Sequence, residues 1–311
     1  MRRYVGFDRL WAMQIPVPYS LMLRDGDFGW SCGQCPLDRG GSVIAPGDAA
    51  AQARLVAGYC RTVLEEAGFA PGDLCMAVVY HDTPDPAPVL AELRAGFGAG
   101  PLVVPVRVPA FYYPGMQIEV DLFAVAGGAL SRHRSAQGDR LVARGMTFLH
   151  GAPALLARPA LIAHWVAPAA APGLPGHALI ESGQAGAMVW AVQPAEEVTE
   201  WAENHLTLRR AGPWLALTAT APEIAGLVPQ TEAIMDRIAT TLAAHGLTFG
   251  DVVKSTTHYI GAPTAQELHD NMAVRNRRYA SPGPASTGIR VAALAAAEAR
   301  TAITLLLRNG A

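Results

Sequence analysis

Short apolar runs alternate with two longer stretches of helical period along residues 19–125. Leu21–Arg24 and Phe28–Cys32 flank Asp25-Gly26-Asp27, a pattern that predicts a β-hairpin. Asp38-Arg39-Gly40-Gly41 predicts a further turn. Ala49–Ala67 places apolar residues at helical spacing, with Gly68 just beyond as a C-cap. Leu74–Tyr80 is a continuous apolar run of the kind that fills a buried strand. Pro86–Phe97 reads as a second amphipathic helix, and Leu102–Val108 and Gln117–Val125 as the closing strands. Residues 201–311 repeat this path, with helices predicted over Pro229–His245 and Thr264–Tyr279 and late strands over Gly288–Leu294 and Arg300–Leu307.

Three anchors recur in the same order in the two stretches. Arg24-Asp25-Gly26 matches Arg210-Ala211-Gly212, Gly72-Asp73 matches Gly250-Asp251, and Arg107-Val108 matches Arg290-Val291. A period so much longer than a solenoid repeat implies duplicated domains. The expected organisation is a first domain over 1–126, a connector with partial secondary structure over 127–200, and a second domain over 201–311. Within the connector, Ala167–Gly176 is a linker by composition and His177–Val192 a strand pair.

Composition narrows the function classes. The chain has 311 residues, 51% of them hydrophobic, and a formal net charge of -2, without a basic stripe suited to nucleic acid. No apolar run reaches the ~18 residues of a spanning helix, and Asp8 and Arg9 interrupt the place of a signal peptide's apolar stretch. A cytoplasmic protein without nucleic-acid or membrane partners is expected. Cys32 and Cys35 form a C-x-x-C, but Cys32 ends a predicted strand instead of opening a helix that would stabilise a thiolate. No second ligand pair with zinc spacing is present, nor a phosphate loop, a G-x-S-x-G or an H-E-x-x-H. Neither a metal nor a cofactor is expected.

Pro18-Tyr19-Ser20, Cys32-Gly33-Gln34 and Gly47-Asp48-x-x-x-Gln52 resemble the P-Y-S, S-G-Q and G-D-x-x-x-Q pattern of the reactive-intermediate deaminase (Rid/YjgF) family. Gly250–Thr256, Ala273–Tyr279 and Pro284–Thr287 are similar in the second stretch. The resemblance implies an α/β (α+β) fold of two chorismate-mutase-like sandwiches in tandem, helices packed on one face of mixed sheets. It also implies a hydrolase acting on carboxylate-bearing imines or enamines of a specialised pathway. Family members form trimers with sites between subunits, so a homo-oligomer or an intramolecular pseudo-trimer is implied. A more distant resemblance, to the chorismatases, implies an enol-ether hydrolase. Loss of family residues leaves open a non-catalytic small-ligand-binding or scaffold protein.

Matched residue by residue, Tyr19 and Glu119 stand at the family's catalytic Tyr and Glu, Cys32 at its pocket Ser, and Asn276 at a pocket Asn. Tyr113 lies in a pocket-rim turn. The Arg that binds the substrate carboxylate is missing: Val103 or Val104 holds its place in the first stretch and Ser286 in the second, where Thr301 replaces the Glu. Arg107 and Arg290, a few residues further along the same strands, are the candidate replacements. Arg275-Asn276-Arg277-Arg278, at a helix end, reads as a solvated basic patch.

Overall fold

The computed structural model describes residues 2–7, 9–167, 178–181 and 187–309. The composition-based linker at 167–176 lies outside the described residues apart from Ala167. The first copy of the repeat contains β1 (Arg2–Gly6), β2 (Ser20–Asp25), β3 (Phe28–Ser31), α1 (Ala49–Ala67), β4 (Leu74–His81), α2 (Ala87–Phe97), β5 (Leu102–Arg107) and β6 (Ile118–Val125). A middle region supplies β7 (Ser131–Ser135), β8 (Gly138–Ala143), β9 (Met146–Gly151), β10 (Ile162–Ala167), β11 (Ala178–Glu181) and β12 (Met188–Pro194). The second copy contains β13 (Thr199–Glu203), β14 (Leu206–Ala211), β15 (Trp214–Thr220), α3 (Leu227–Ala244), β16 (Val252–Tyr259), α4 (Ala265–Asn276), β17 (Ala285–Arg290) and β18 (Thr301–Arg308).

Local chemistry explains the helix limits. The Asp48 side chain accepts from the Ala51 amide at 2.9 Å and starts α1, and Gly68 at φ +82 ends it in the left-handed region. Gln52, the Gln of the G-D-x-x-x-Q motif, donates to the carbonyls of Ala45 and Gly115 and accepts from the Gln117 amide. Gln230 repeats the device in the second copy, donating to Ile224 and Glu298 and accepting from Arg300. A buried amide thereby pins the loop before the last strand of each copy.

Both copies contribute to one sheet, ordered β13-β14-β15-β18-β16-β17-β2-β3-β6-β4-β5, with β1 paired on β2. The two halves meet where β17 runs parallel to β2 at Ala285 and Ser20. Ser20 reinforces this junction through its amide to Pro284 at 3.1 Å and its hydroxyl to Gly283 at 2.8 Å. Beneath it lies a buried ion pair, Lys254 Nζ of β16 to Asp121 Oδ1 of β6 at 3.0 Å. Lys254 also donates to the Ser31 carbonyl at 2.8 Å and to Thr287, which in turn donates to Asp121.

The middle region is not a loose connector but a second sheet, ordered β11-β10-β12-β9-β8-β7. β10 separates β11 from β12, so His177–Val192 does not form the expected strand pair. Alternation along β6 puts Val120 and Leu122 on one face of the main sheet and Glu119, Asp121 and Phe123 on the other. The second sheet covers that latter face: Phe148 and Trp190 pack on Phe123 with ring centroids 6.3 and 5.8 Å apart, and His164 lies 4.9 Å from His258. The strand expected at Gly288–Leu294 instead spans Ala285–Arg290. Its polar start, Ser286-Thr287, is stabilised by the junction, which the local pattern does not contain. Among the described residues no helix is long and apolar enough to cross a membrane.

Breaking a buried pair by removing one partner strands the other charge and typically costs about 3–5 kcal/mol. Lys254→Met should therefore lower the unfolding free energy by that order in a urea titration, and Lys254→Met combined with Asp121→Leu should recover most of it. A loss of the size seen for exposed pairs would show that the junction does not depend on Lys254.

Candidate functional site

The site opens beside the junction, where β2 and β17 diverge beyond their single paired position. Gly33, Cys35, Tyr19, Tyr112 and Glu119 of the first copy face Leu268, Met272, Arg275, Ser286 and Gly288 of the second around a cavity of about 30 Å³. Phe7, Trp11 and Met13 roof it. Trp11 is held down by its indole N–H, which donates to Gln34 Oε1 at 3.2 Å, and Gln34 donates to the Leu21 carbonyl at 3.1 Å.

Glu119 reaches the cavity because it starts β6 on the face turned away from α1. Its carboxyl lies against the Gly33 backbone so closely that a Cβ on Gly33 would fall 1.7 Å from Oε1. The glycine of Cys32-Gly33-Gln34 is thus a steric requirement of the carboxyl. Tyr112 donates to Glu119 Oε2 at 3.1 Å and contacts Cys35 Sγ at 3.3 Å. Burial, with Asp121 two residues along the same face, pushes Glu119 up to about 8; Tyr112, Lys254 and Cys35 oppose the rise. The carboxyl is therefore largely protonated at neutral pH. Burial likewise raises the Tyr19 phenol, against the pull of Arg275 and Ser286.

Arg275 is the cation of the cavity. It is 2% exposed, and its Nε donates to Asn271 Oδ1 at 3.1 Å, leaving the other nitrogens of its fork beside Ser286, Gly288 and Tyr19. The expected solvated patch thus divides. Arg277 and Arg278 pair on the surface with Glu232 and Asp236, whereas Arg275 turns inward. A signal was present in the spacing: Leu268, Met272 and Arg275 form one helical stripe, i, i+4 and i+7.

The other expected residues distribute differently. Arg107 is in register with His81, and His81 with Ile118, which puts it on the opposite face from Glu119 and beyond β4. Arg290 donates through Nε to the Gly261 carbonyl and does not line the cavity. Cys32 is buried behind the wall, its sulfur accepting from Gln34 Nε2 at 3.2 Å, and burial raises its thiol. Cys35, its C-x-x-C partner, lines the cavity. Asn276 donates to the Pro16 carbonyl at 3.3 Å, tying α4 to the segment below the roof. Tyr113 stacks edge-on against Tyr112, contacts His269 Nε2 at 3.0 Å and accepts from the Gln14 amide, so it supports the rim.

Strand register also shifts one equivalence. His81 pairs with Ile118 and Tyr259 with Thr301, so Thr301 corresponds to Ile118, and Ala302 corresponds to Glu119. The same offset confirms Ser286 as the counterpart of Val103. Only the first copy carries the carboxyl. Among the described residues no group of His, Cys, Asp and Glu is placed to hold a metal ion.

Comparison with known proteins bears on residues 12–126, which match the family model described as endoribonuclease L-PSP. No curated protein matches the chain. A candidate endoribonuclease of Thermotoga maritima is 26% identical, aligned over 41% of this chain and 100% of its own, with a TM-score of 0.36. E. coli TdcF, solved with bound serine, is 21% identical over 40% of this chain and 99% of its own, with a TM-score of 0.35. The Rid-family protein YyfA of Yersinia pestis is 18% identical over 40% of this chain and 100% of its own, with a TM-score of 0.36.

Carboxyl-region ¹³C NMR should show Glu119 titrating near 8, and Trp11→Ala, which admits water, should move it toward the ordinary range of about 4.3. The native state then keeps a proton that the unfolded chain releases, so stability falls as pH rises between about 5 and 8. Glu119→Gln should flatten that slope in denaturant titrations. A wild-type Glu119 that ionises in the ordinary range would refute the buried setting.

Proposed function

We propose that this chain, which belongs to the endoribonuclease L-PSP (Rid/YjgF) family through residues 12–126, hydrolyses a small carboxylate-bearing imine or enamine in the cavity between its two copies. The observation that supports this reading is that Glu119 and Arg275 line the same cavity. Arg275 takes the role of carboxylate anchor, for which a planar guanidinium fork is suited. It would replace, from a helix, the strand arginine whose place Ser286 holds.

The chemistry follows from the protonated carboxyl. Glu119 donates its proton to the imine nitrogen, water adds to the imine carbon, and the resulting carboxylate accepts the proton that water loses. The carbinolamine collapses when its hydroxyl proton passes, through Glu119, to the nitrogen, and ammonia leaves as the C–N bond breaks to give the ketone. An enamine is first protonated at carbon. Tyr112 holds the carboxyl, and Tyr19 and Ser286 line the substrate's flank. The space of about 30 Å³ has room for one water, so admission of substrate requires the roof of Phe7, Trp11 and Met13 to lift.

A neutral carboxyl would equally protonate the carbon of an enolpyruvyl ether; water then adds to the oxocarbenium carbon, and the hemiketal collapses to pyruvate and an alcohol in place of ammonia. The loss of the strand arginine from both copies, where Val103 and Ser286 stand, favours a third reading, a binding protein without chemistry. Ammonia and 2-keto-acid release from enzymatically generated 2-imino acids separates these. Glu119→Gln should lower kcat/KM by about 10²–10⁴. Arg275→Gln should act mainly on KM for substrates with a carboxylate. With Glu119 as acid, kcat/KM should fall as pH rises through about 8. Pyruvate without ammonia from an enol ether would support the second reading, and no turnover of either substrate by folded protein the third.

We also infer that the middle sheet takes, within one chain, the third place of a trimer, since it covers the helix-free face of the main sheet. Light scattering should then give a monomer. A trimer of chains would contradict this arrangement.

A further inference from the structure

A larger concavity lies away from the junction cavity. A groove of about 590 Å³ runs along the outer edge of the main sheet, between β5, the end of α2 and the strands β7–β9. It is lined by Arg94, Arg132, Arg134, Asp139 and His150 over a floor that includes Leu102, Val103 and Pro105, and it shares no residue with the junction cavity. Its volume lies in the range of small-molecule sites, about 300–1,000 Å³. Apolar walls with a few convergent polar groups are what such sites present.

The polar groups come from one row of the second sheet. Arg134 is in register with Asp139, and Asp139 with His150, so the three side chains share a face, joined by Arg132 two residues from Arg134. Two guanidinium groups approach a single carboxylate, which Arg132 Nη2 contacts at 2.5 Å and Arg134 Nε at 3.9 Å, and Arg94 adds a third cation to the lining. Arg134 remains 70% exposed, and Arg94 leaves the last turn of α2 on the exposed side. Arg132 Nε and His150 Nε2 are buried without hydrogen-bond partners. Burial holds the imidazole below its ordinary pKa, so His150 is neutral and able to donate or accept.

Duplication gives the groove a counterpart. Val103 and Pro105 occupy the positions that Ser286 and Gly288 occupy at the junction cavity, with the second helix of the copy above each. In the second copy this edge meets β2; in the first it meets the middle sheet. Arg94 stands about one turn earlier on α2 than Arg275 on α4, counted from each helix start.

We propose that this groove is a second binding site, for an organic anion with an apolar ring-sized body and a carboxylate, sulfonate or phosphate group. The body lies on Val103 and Pro105, and the anionic group meets Arg94 and Arg134, with the unpartnered Arg132 Nε and His150 Nε2 behind.

Anilinonaphthalene sulfonate, an aromatic anion, and N-phenylnaphthylamine, its uncharged analogue, separate charge from apolar contact by fluorescence titration. The double variant Arg94→Gln/Arg134→Gln removes only exposed cations, so its unfolding midpoint should match the wild type. The sulfonate should bind the wild type with one-to-one stoichiometry, and its Kd should rise about tenfold or more in the double variant, with the uncharged probe unaffected. Val103→Trp should block both probes, and Arg275→Gln neither. Equal sulfonate affinity in wild type and double variant, equal weakening of the uncharged probe, or loss of binding in Arg275→Gln would overturn the proposal. So would a stoichiometry well above one.

Discussion

The contact between Lys254 and Asp121 organises this molecule. An ammonium and a carboxylate, both buried, satisfy each other only if β16 of one copy and β6 of the other hold a single relation. Thr287 joins the pair and so draws β17 into the same arrangement. Because side chains alternate along a strand, pointing Thr287 at the ion pair points Ser286 and Gly288 the other way, into the cavity. Glu119, two residues before Asp121, is placed by the same contact. The polar cluster under the junction therefore sets the geometry of the site above it.

The two copies contribute different groups to the cavity. The first copy supplies the carboxyl, the glycine that accommodates it and the tyrosine that holds it. The second supplies the cation, from a helix instead of a strand, and has Ala302 where the first has Glu119. Neither copy alone lines the cavity with both a carboxyl and a guanidinium group. The edge that each copy presents has also diverged: one meets β2 at a small cavity, and the other faces the middle sheet across a larger, cationic groove.

The hydrogen-bonded glutamines show why the family resemblance was readable in spite of these changes. Gln52 and Gln230 each bind three backbone groups, one just before their own helix and two in a loop distant in sequence. Removal of either would leave buried amides and carbonyls unpaired, at about 1–3 kcal/mol apiece. Gly33 is held by contact with Glu119. Such residues hold the fold together, so the motif is present although Val103 and Ser286 stand where an arginine is expected.

The sequence by itself determined most elements of each copy and their duplication. Helical period with Asp48 and Gly68 as caps defines α1, a continuous apolar run defines β4, and ordered anchors relate the halves. These are local signals, carried by neighbours in the chain. Tertiary structure alone decided which cation meets Glu119. Arg107 and Arg290 sit on the strand where an anchor is expected, but one lies on the far face and the other on a loop carbonyl. Arg275 lies in a basic run that reads as solvent-facing until α4 is docked with its Leu268–Met272 stripe inward. The middle sheet escaped notice for a related reason. The Ser131–Ser135 strand is polar and exposed, with no apolar period to reveal it, and it exists because Gly138–Ala143 offers it a hydrogen-bonding edge. Strand pairing and the approach of one copy to the other are long-range interactions, and no window of sequence contains both partners.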